Sequence, residues 1–218
     1  MRKNSGDEEM IWELQMIYED VSMDAQYMDA VKNNDMKIVQ RMVDIKSKNS
    51  GYDLEAWHGS PEKGFTKFSM DSPSRPNTEG KAFFFAGDEE FASQFSIIPT
   101  GEKIQKFVRD DESGKVLGSY EEDVYKEGEI RRFFLKAKLK NAPEDSLGKR
   151  EEQTILDDAK MSGYDGVRFE ARVWDFSDSF AVFYPNQIKL ADPVTYDDNS
   201  EIIPLSKRFN PNTDDIRY

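Results

Sequence analysis

Apolar positions in the first fifty residues recur at helical intervals. Met10, Ile11, Leu14, Ile17, Tyr18 and Val21 lie three or four apart and predict an amphipathic helix, preceded by a capping-box pattern at Ser5 and Glu8. A second short helix is expected from Asp24 to Lys32, burying Tyr27, Met28 and Val31. Asn33-Asn34-Asp35 breaks it, and Asp35 is a good N-cap for a third helix over 36–48. That helix turns Met36, Val39, Met42 and Val43 to one face and stops at Asn49-Ser50-Gly51. The methionines read as adaptable packing.

From Tyr52 the period changes. Leu54 to His58 reads as a strand, and Phe65 and Phe68 anchor the loop after it. Asp71 to Gly80 is a Pro/Ser/Asn/Gly-rich loop. Ala82 to Ala86 is a near-continuous apolar strand, and Asp88 caps a short helix holding Phe91, Ala92 and Phe95. Ile104 to Val108 and Val116 to Tyr120 pair as a hairpin through 110–114. Phe133, Leu135, Ala137 and Leu139 alternate with basic residues, predicting one half-buried strand. A helix over 148–161 turns Ile155, Leu156 and Ala159 inward and ends at Gly163. Strands follow at Val167 toward Val173, at Phe180 to Phe183, and from Gln187 to Ala191. The tail from Asp192, with three prolines, three asparagines and five aspartates, reads as surface wrapping.

The chain has 218 residues, 37% hydrophobic and 12% aromatic, which is enough for a sizeable core. The pattern divides it into a helical segment, 1–51, and a β-rich domain, 52–218. A net charge of −13 argues against nucleic-acid or anionic-membrane binding, which needs basic patches. From Arg109 to Glu129 there are eight acidic and three basic residues, the composition of a solvated insertion. There is no cysteine and one histidine, so thiolate sites, Cys nucleophiles and multi-His zinc sites drop out. No run approaches a membrane span or a signal-peptide core, so a soluble, cytoplasmic protein is expected. Asp197 to Glu201 has calcium-ligand residue types without the loop spacing, and no metal is expected. Neither a phosphate loop at Gly80-Lys81 nor a Gly-x-Ser-x-Gly elbow is present.

The single histidine, His58, sits in Trp57-His58-Gly59-Ser60, where a strand gives way to a loop. Alone, it reads either as a structural hydrogen-bonder or as a site residue. Its company is more specific: Gly80-Lys81-Ala82-Phe83-Phe84-Phe85-Ala86, Ala92 to Phe95, Gly163-Tyr164-Asp165-Gly166-Val167, and Phe180 through Pro185-Asn186-Gln187-Ile188-Lys189. In that order these segments resemble the ADP-ribosyltransferase domains of phage- and mobile-element-encoded polyvalent proteins. Those domains are relatives of the diphtheria-toxin and poly(ADP-ribose) polymerase group. The ending Arg208-Phe209-Asn210-Pro211 through Tyr218 is similar too, as is the helical segment from Ala30 to Val43.

The resemblance implies an α+β fold: a split, mostly antiparallel β core with an N-terminal helical layer. It implies NAD as substrate, with an unidentified macromolecule as ADP-ribose acceptor. His58 would bond a ribose hydroxyl, and the Gly59 backbone, with Ser60 beside it, would hold the nicotinamide carboxamide. Phe84 stands where the family usually has tyrosine and would stack on nicotinamide, with Phe95 on the opposite face; of Phe83, Phe84 and Phe85, at least one must be plain core. At the third motif the polymerase-type glutamate is replaced by Ser179. Serine offers a hydrogen bond but no negative charge, a difference of several kcal/mol in a dry site. Substitutes within reach in sequence are Asp178, Glu170, Asp175 and Gln187, although Gln187 equally suits a structural role at the turn. Three functions follow: ADP-ribosyl transfer, NAD hydrolysis, and a binding module that has lost catalysis.

Overall fold

The computed structural model describes residues 22–71, 82–111, 113–143, 149–171 and 177–218. The helix expected from Met10 to Val21, Gly80-Lys81, most of the 71–80 loop and Asp175 lie outside these residues. Helix α1 covers residues 22–32 and α2 is Met36–Asn49, joined through Asn34 at φ 57°. Asp35 caps α2 by accepting from the Ile38 amide, and Gly51, at φ 81°, supplies the left-handed turn that ends it.

Tyr27, Ala30, Val39 and Val43 pack with Tyr52, Phe134, Ala191, Leu205 and Phe209 in one core. Met28, expected inside, is 39% exposed. The inward stripe runs through Tyr27 and Ala30, and one residue along a helix turns the side chain about 100° away.

The strands are β1 (Leu54–Ser60), β2 (Phe83–Ala86), β3 (Ile97–Arg109), β4 (Val116–Glu127), β5 (Glu129–Leu135), β6 (Leu139–Asn141), β7 (Gly166–Phe169), β8 (Ser179–Val182) and β9 (Ile188–Leu190). Seven of them form a sheet in the order β6-β7-β8-β2-β1-β5-β9, antiparallel except for β6–β7, while β3 and β4 form a separate ribbon. Helices α3 (Glu89–Ser93) and α4 (Lys149–Met161) complete the α+β architecture. A core of Ala56, Phe83, Phe85, Phe133, Leu135, Phe180, Val182, Ile188, Leu190 and Ile216 covers one face of the sheet. On the other face, Leu156 and Ala159 of α4 pack on Val167, Ala181 and Phe183. Phe133, Phe134 and Leu135 are all buried because β5 has core on both faces, so the alternation read from the sequence understates its burial.

The single strand expected across Phe133 to Leu139 is instead two strands on opposite sides of the sheet. Residues 136–138 carry the chain between them. The Lys136 amide donates to the Gln187 carbonyl (2.9 Å), and the Asp165 amide to the Lys138 carbonyl (2.9 Å). Gln187 holds this crossing. Its Nε2 donates to the Lys136 and Asp165 carbonyls, and its Oε1 accepts from the Phe183 and Tyr184 amides. Both amide protons and both lone pairs are used.

The tail does more than wrap the surface. Ile203, Leu205, Phe209 and Ile216 are buried, and the Leu190 amide donates to the Ile216 carbonyl. Sequence composition hid this, because four apolar residues are diluted among Pro, Asn and Asp. Buried Lys189 ties the tail down by donating from Nζ to the carbonyls of Thr213 (2.8 Å) and Asp215 (2.9 Å). Arg208, also buried, donates to the carbonyls of Leu190, Asp192 and Pro193.

Replacing Gln187 by Leu removes four hydrogen bonds and takes the side-chain partner from the Tyr184 amide and the Lys136 carbonyl, while the Phe183 amide and Asp165 carbonyl keep each other. The change is expected to lower the unfolding free energy by about 2 kcal/mol, read from urea melts. Burial pushes the Lys189 ammonium from 10.5 down to about 8, against the pull of Asp215 and Asp214. The unfolded chain therefore binds the extra proton between these values, and Lys189 makes stability rise with pH in that window. The natural chain should gain on Lys189→Met from pH 8 to 10.5, by at most about 1.4 kcal/mol per pH unit. A flat difference would show that the buried amine stays charged.

Candidate functional site

The sheet is split between β2 and β1. β1 and β5 share seven register pairs and β2 and β8 share four, but β1 and β2 meet at Trp57↔Ala86 alone among the described residues. Ladder alternation fixes which groups line the seam. The Gly87 amide donates to the Asp178 carbonyl, so odd residues of β2 turn their main chain to β8, and Phe84 and Ala86 turn theirs to β1. On the other side, Lys136 and Arg132 bond across to Gln187 and Ala191, which leaves Arg131 and Phe133 facing His58 and Ala56. The main-chain N–H and C=O of Trp57 and Gly59 consequently point toward β2. Continued one step beyond Trp57↔Ala86, the register would join Gly59 to Phe84.

His58 interrupts that step. Its Nδ1 lies 2.8 Å from the Phe84 carbonyl oxygen. A carbonyl can only accept, so Nδ1 carries the proton. The imidazole thus takes an acceptor that a closed sheet would give to a backbone amide. The ring is held among Phe68 (5.0 Å between centroids), Phe85 (5.3 Å), Phe65 (6.2 Å) and Phe133 (6.3 Å). Arg131, directly opposite in β5, donates from Nη1 to the Phe65 carbonyl (2.8 Å), and its guanidinium lies 5.4 Å from the Phe65 ring centre. Nothing in the sequence singles out Arg131, since the pairing that places it beside His58 is long-range.

The two sheet faces divide the expected site residues. Ala56, His58 and Ser60 point to the face of Phe85 and Phe133. Trp57, Gly59, Phe84, Ala86 and Ser179 share the opposite face through the pairs Trp57↔Ala86 and Ala86↔Ser179. The rings of His58 and Phe84 therefore do not meet in one pocket. The histidine reaches the Phe84 side of the seam through the main chain, not by stacking. Phe84 is half-buried against the α4 cluster, while Phe83 and Phe85 are core.

Gly59 proves necessary for a reason the sequence did not show. A Cβ there would lie 1.9 Å from the Ala92 carbonyl oxygen and 3.0 Å from the Ser96 amide nitrogen. The glycine lets α3 press onto β1. Asp88 starts α3 by accepting from the Phe91 amide at 2.7 Å, the main reason its carboxyl is held below the usual range. Phe95, just past the helix, donates its amide to Ala92, meets Phe91 edge-on at 5.5 Å, and is 56% exposed. An aromatic surface thus stands on the Gly59–Ser179 face of the seam.

Other expected residues have structural work. The Ser60 hydroxyl accepts from the Glu62 amide, closing the turn after β1. The Asp178 carboxylate accepts from the Ala171 amide (2.9 Å) and from Nε and Nη2 of Arg168, and these bonds, the backbone one foremost, hold its pKa below the usual range. It is a loop clamp and not a carboxylate turned to the seam. Gln187 is fully spent on the crossing described above. Glu170 is exposed. Asp178 and Gln187 are therefore committed to the frame rather than to a role beside Ser179. Among the described residues, no three His, Cys, Asp or Glu side chains gather to hold a metal ion.

The family model described as ADP-ribosyltransferase in polyvalent proteins matches residues 48–196. No curated protein and no solved structure matches the chain. The matched span begins at the end of α2 and includes all nine strands, with the seam, α3 and Ser179. On this match the chain belongs to the ADP-ribosyltransferase family of polyvalent proteins, for which NAD is the substrate.

Proposed function

We propose that the chain binds NAD at the β1–β2 seam and transfers its ADP-ribose to a macromolecular acceptor. The observation behind this reading is the interrupted ladder, which turns the N–H and C=O of Gly59 toward β2 beyond the last register pair. Such a donor–acceptor pair matches the two hydrogen-bonding groups of a primary carboxamide. Phe84 and Phe95 lie on the same side and offer ring faces for the nicotinamide.

In the reaction the bond from ribose C1′ to the nicotinamide nitrogen breaks and its electron pair leaves with nicotinamide. An acceptor nucleophile then bonds to C1′ and gives up its proton. Positive charge spreads over C1′ and the ring oxygen on the way. This chain offers Ser179 there, whose hydroxyl can hold the ribose 2′-hydroxyl but cannot neutralise that charge. Ser179 also supports a second reading, an NAD-binding module with little turnover.

One experiment separates these. The chain is incubated with NAD labelled in the adenylate half, with and without cell lysate, while nicotinamide release and NAD affinity are followed. Labelled macromolecule is the expected product. Free ADP-ribose alone would indicate hydrolysis, binding without release would indicate the module, and no binding would end the NAD reading.

Two variant series sharpen it. His58→Asn places an amide near the position of Nδ1 and should keep the bond to Phe84, so melting should change by about 1 kcal/mol or less. It removes Nε2 and is expected to weaken NAD binding or turnover about tenfold or more. His58→Gln, which keeps the Nε2 position and loses the seam bond, should show the opposite balance. If His58→Asn binds and turns over NAD normally, the histidine serves the seam alone. Ser179→Glu places a carboxylate on the Gly59 face and should speed nicotinamide release by about 10²-fold. An unchanged rate with intact NAD affinity would remove Ser179 from the reacting centre.

A further inference from the structure

The β3–β4 ribbon is the largest ordered feature that the NAD reading leaves without work. Its strands pair from Ile97↔Glu127 to Arg109↔Val116, a reach of roughly 40 Å at strand spacing. The tip is tied by the Asp110 amide donating to Lys115 and the Ser113 amide and hydroxyl donating to the Asp110 carboxylate. Yet every residue of β3 is exposed, and β4 has two half-buried positions, Glu122 and Val124, rather than a core. A two-stranded ribbon is marginal in water, and a third strand or a covering surface stabilises it.

Its side chains are not those of a purely solvated arm. Ile104, Val108 and Tyr120 are 47%, 47% and 53% exposed. The pairs Ile104↔Glu122, Lys106↔Tyr120 and Val108↔Gly118 put these three on one face, next to each other on the diagonal. Gly118 leaves the space beside Val108 open, with nothing within 4 Å of an added Cβ. Each strand also has an edge unpaired among the described residues. Pro99 and the register shifts after Pro99 and Val108 limit indiscriminate pairing along these edges. From residue 97 to 127 the ribbon has eight acidic and five basic residues. Lys103 pairs with Glu121 and Lys106 with Glu122, so the acidic excess rests on the remaining carboxylates, Asp111, Asp123 and Glu127 among them.

The ribbon is also rooted at the seam. The Gly128 amide donates to the Ser96 carbonyl (2.7 Å), and a Cβ on Gly128 would lie 1.8 Å from the Ser60 carbonyl oxygen. Ser96 is the same residue whose amide closes on Gly59.

We propose that the β3–β4 ribbon is a docking arm for the acceptor, and that it takes an extended segment of a basic protein. Lysines and arginines of that segment meet acidic side chains outside the ribbon's own ion pairs, such as Asp123 and Glu127, apolar residues cover Ile104, Val108 and Tyr120, and its backbone adds to a ribbon edge. The assignment of this partner as acceptor rests on the transfer reading, whereas the docking itself does not.

Binding is tested on the full chain without catalysis. The probes are a fluorescent peptide of alternating Lys and Val and its Glu/Val counterpart, followed by anisotropy. The Lys/Val peptide should bind and weaken with salt, and the Glu/Val peptide should not bind. Ile104→Ser with Tyr120→Ser should weaken the Lys/Val peptide about tenfold or more while NAD affinity and melting stay unchanged. Asp123→Lys with Glu127→Lys should weaken the Lys/Val peptide and admit the Glu/Val peptide. Absence of Lys/Val binding, equal binding of both peptides, or insensitivity to both double variants would overturn the proposal. Loss of the NAD reading would leave peptide binding intact, so the two can fail separately.

Discussion

A hydrogen bond from the imidazole of His58 to the Phe84 carbonyl governs how the two halves of the sheet meet. Without it, the register begun at Trp57↔Ala86 would carry Gly59 into an ordinary ladder with Phe84. With it, Phe84 has its partner, and the main chain of Gly59 faces a seam instead of a strand. The four phenyl rings around the imidazole fix its position, so the interruption is built into the core and not left to a loose loop. The candidate site is thus a consequence of a sheet whose β1 and β2 share one register pair among the described residues.

The surrounding polar residues keep that arrangement in place. Gln187 bridges the chain crossing at 136–138 to the turn after β8. Lys189 and Arg208 saturate carbonyls of a tail that has no regular ladder of its own, and Asp178 clamps the segment before β8 through Arg168 and Ala171. Each is a buried or half-buried polar group with its partners supplied, as burial demands. Two of them, Gln187 and Asp178, stand near the third motif in sequence and invite a catalytic reading. Their hydrogen bonds assign them to the frame. Proximity in sequence to Ser179 is thus a poor guide to proximity in chemistry, because alternate residues of a strand serve opposite faces.

Much of this protein was legible without coordinates. Helical spacing of Val39 and Val43, the caps Asp35 and Asp88, the stop at Gly163 and the hairpin of 104–108 with 116–120 are local features, set within a few residues of themselves, although the ribbon runs on to Ile97 and Glu127. The short motifs from Trp57 to Lys189 also marked the family, since their order survives in one dimension. The break between Leu135 and Leu139 was not legible, because it depends on Gln187 and Asp165 reaching from afar. Nor were the buried tail residues, whose apolar character is masked by their neighbours, or the place of Arg131 beside His58.

The sequence by itself determined the helical and strand periods that make the chain α+β, the His58-Gly59 pair and a serine at position 179, because periodicity and residue identity are properties of the chain alone. The tertiary structure decided what those residues face. His58 and Phe84 lie on opposite sides of one sheet, and Gly59 is glycine because α3 packs within 1.9 Å of where its Cβ would be. Faces, seams and close approaches are fixed by pairings between segments far apart in the chain, and a sequence read in order has no register between them.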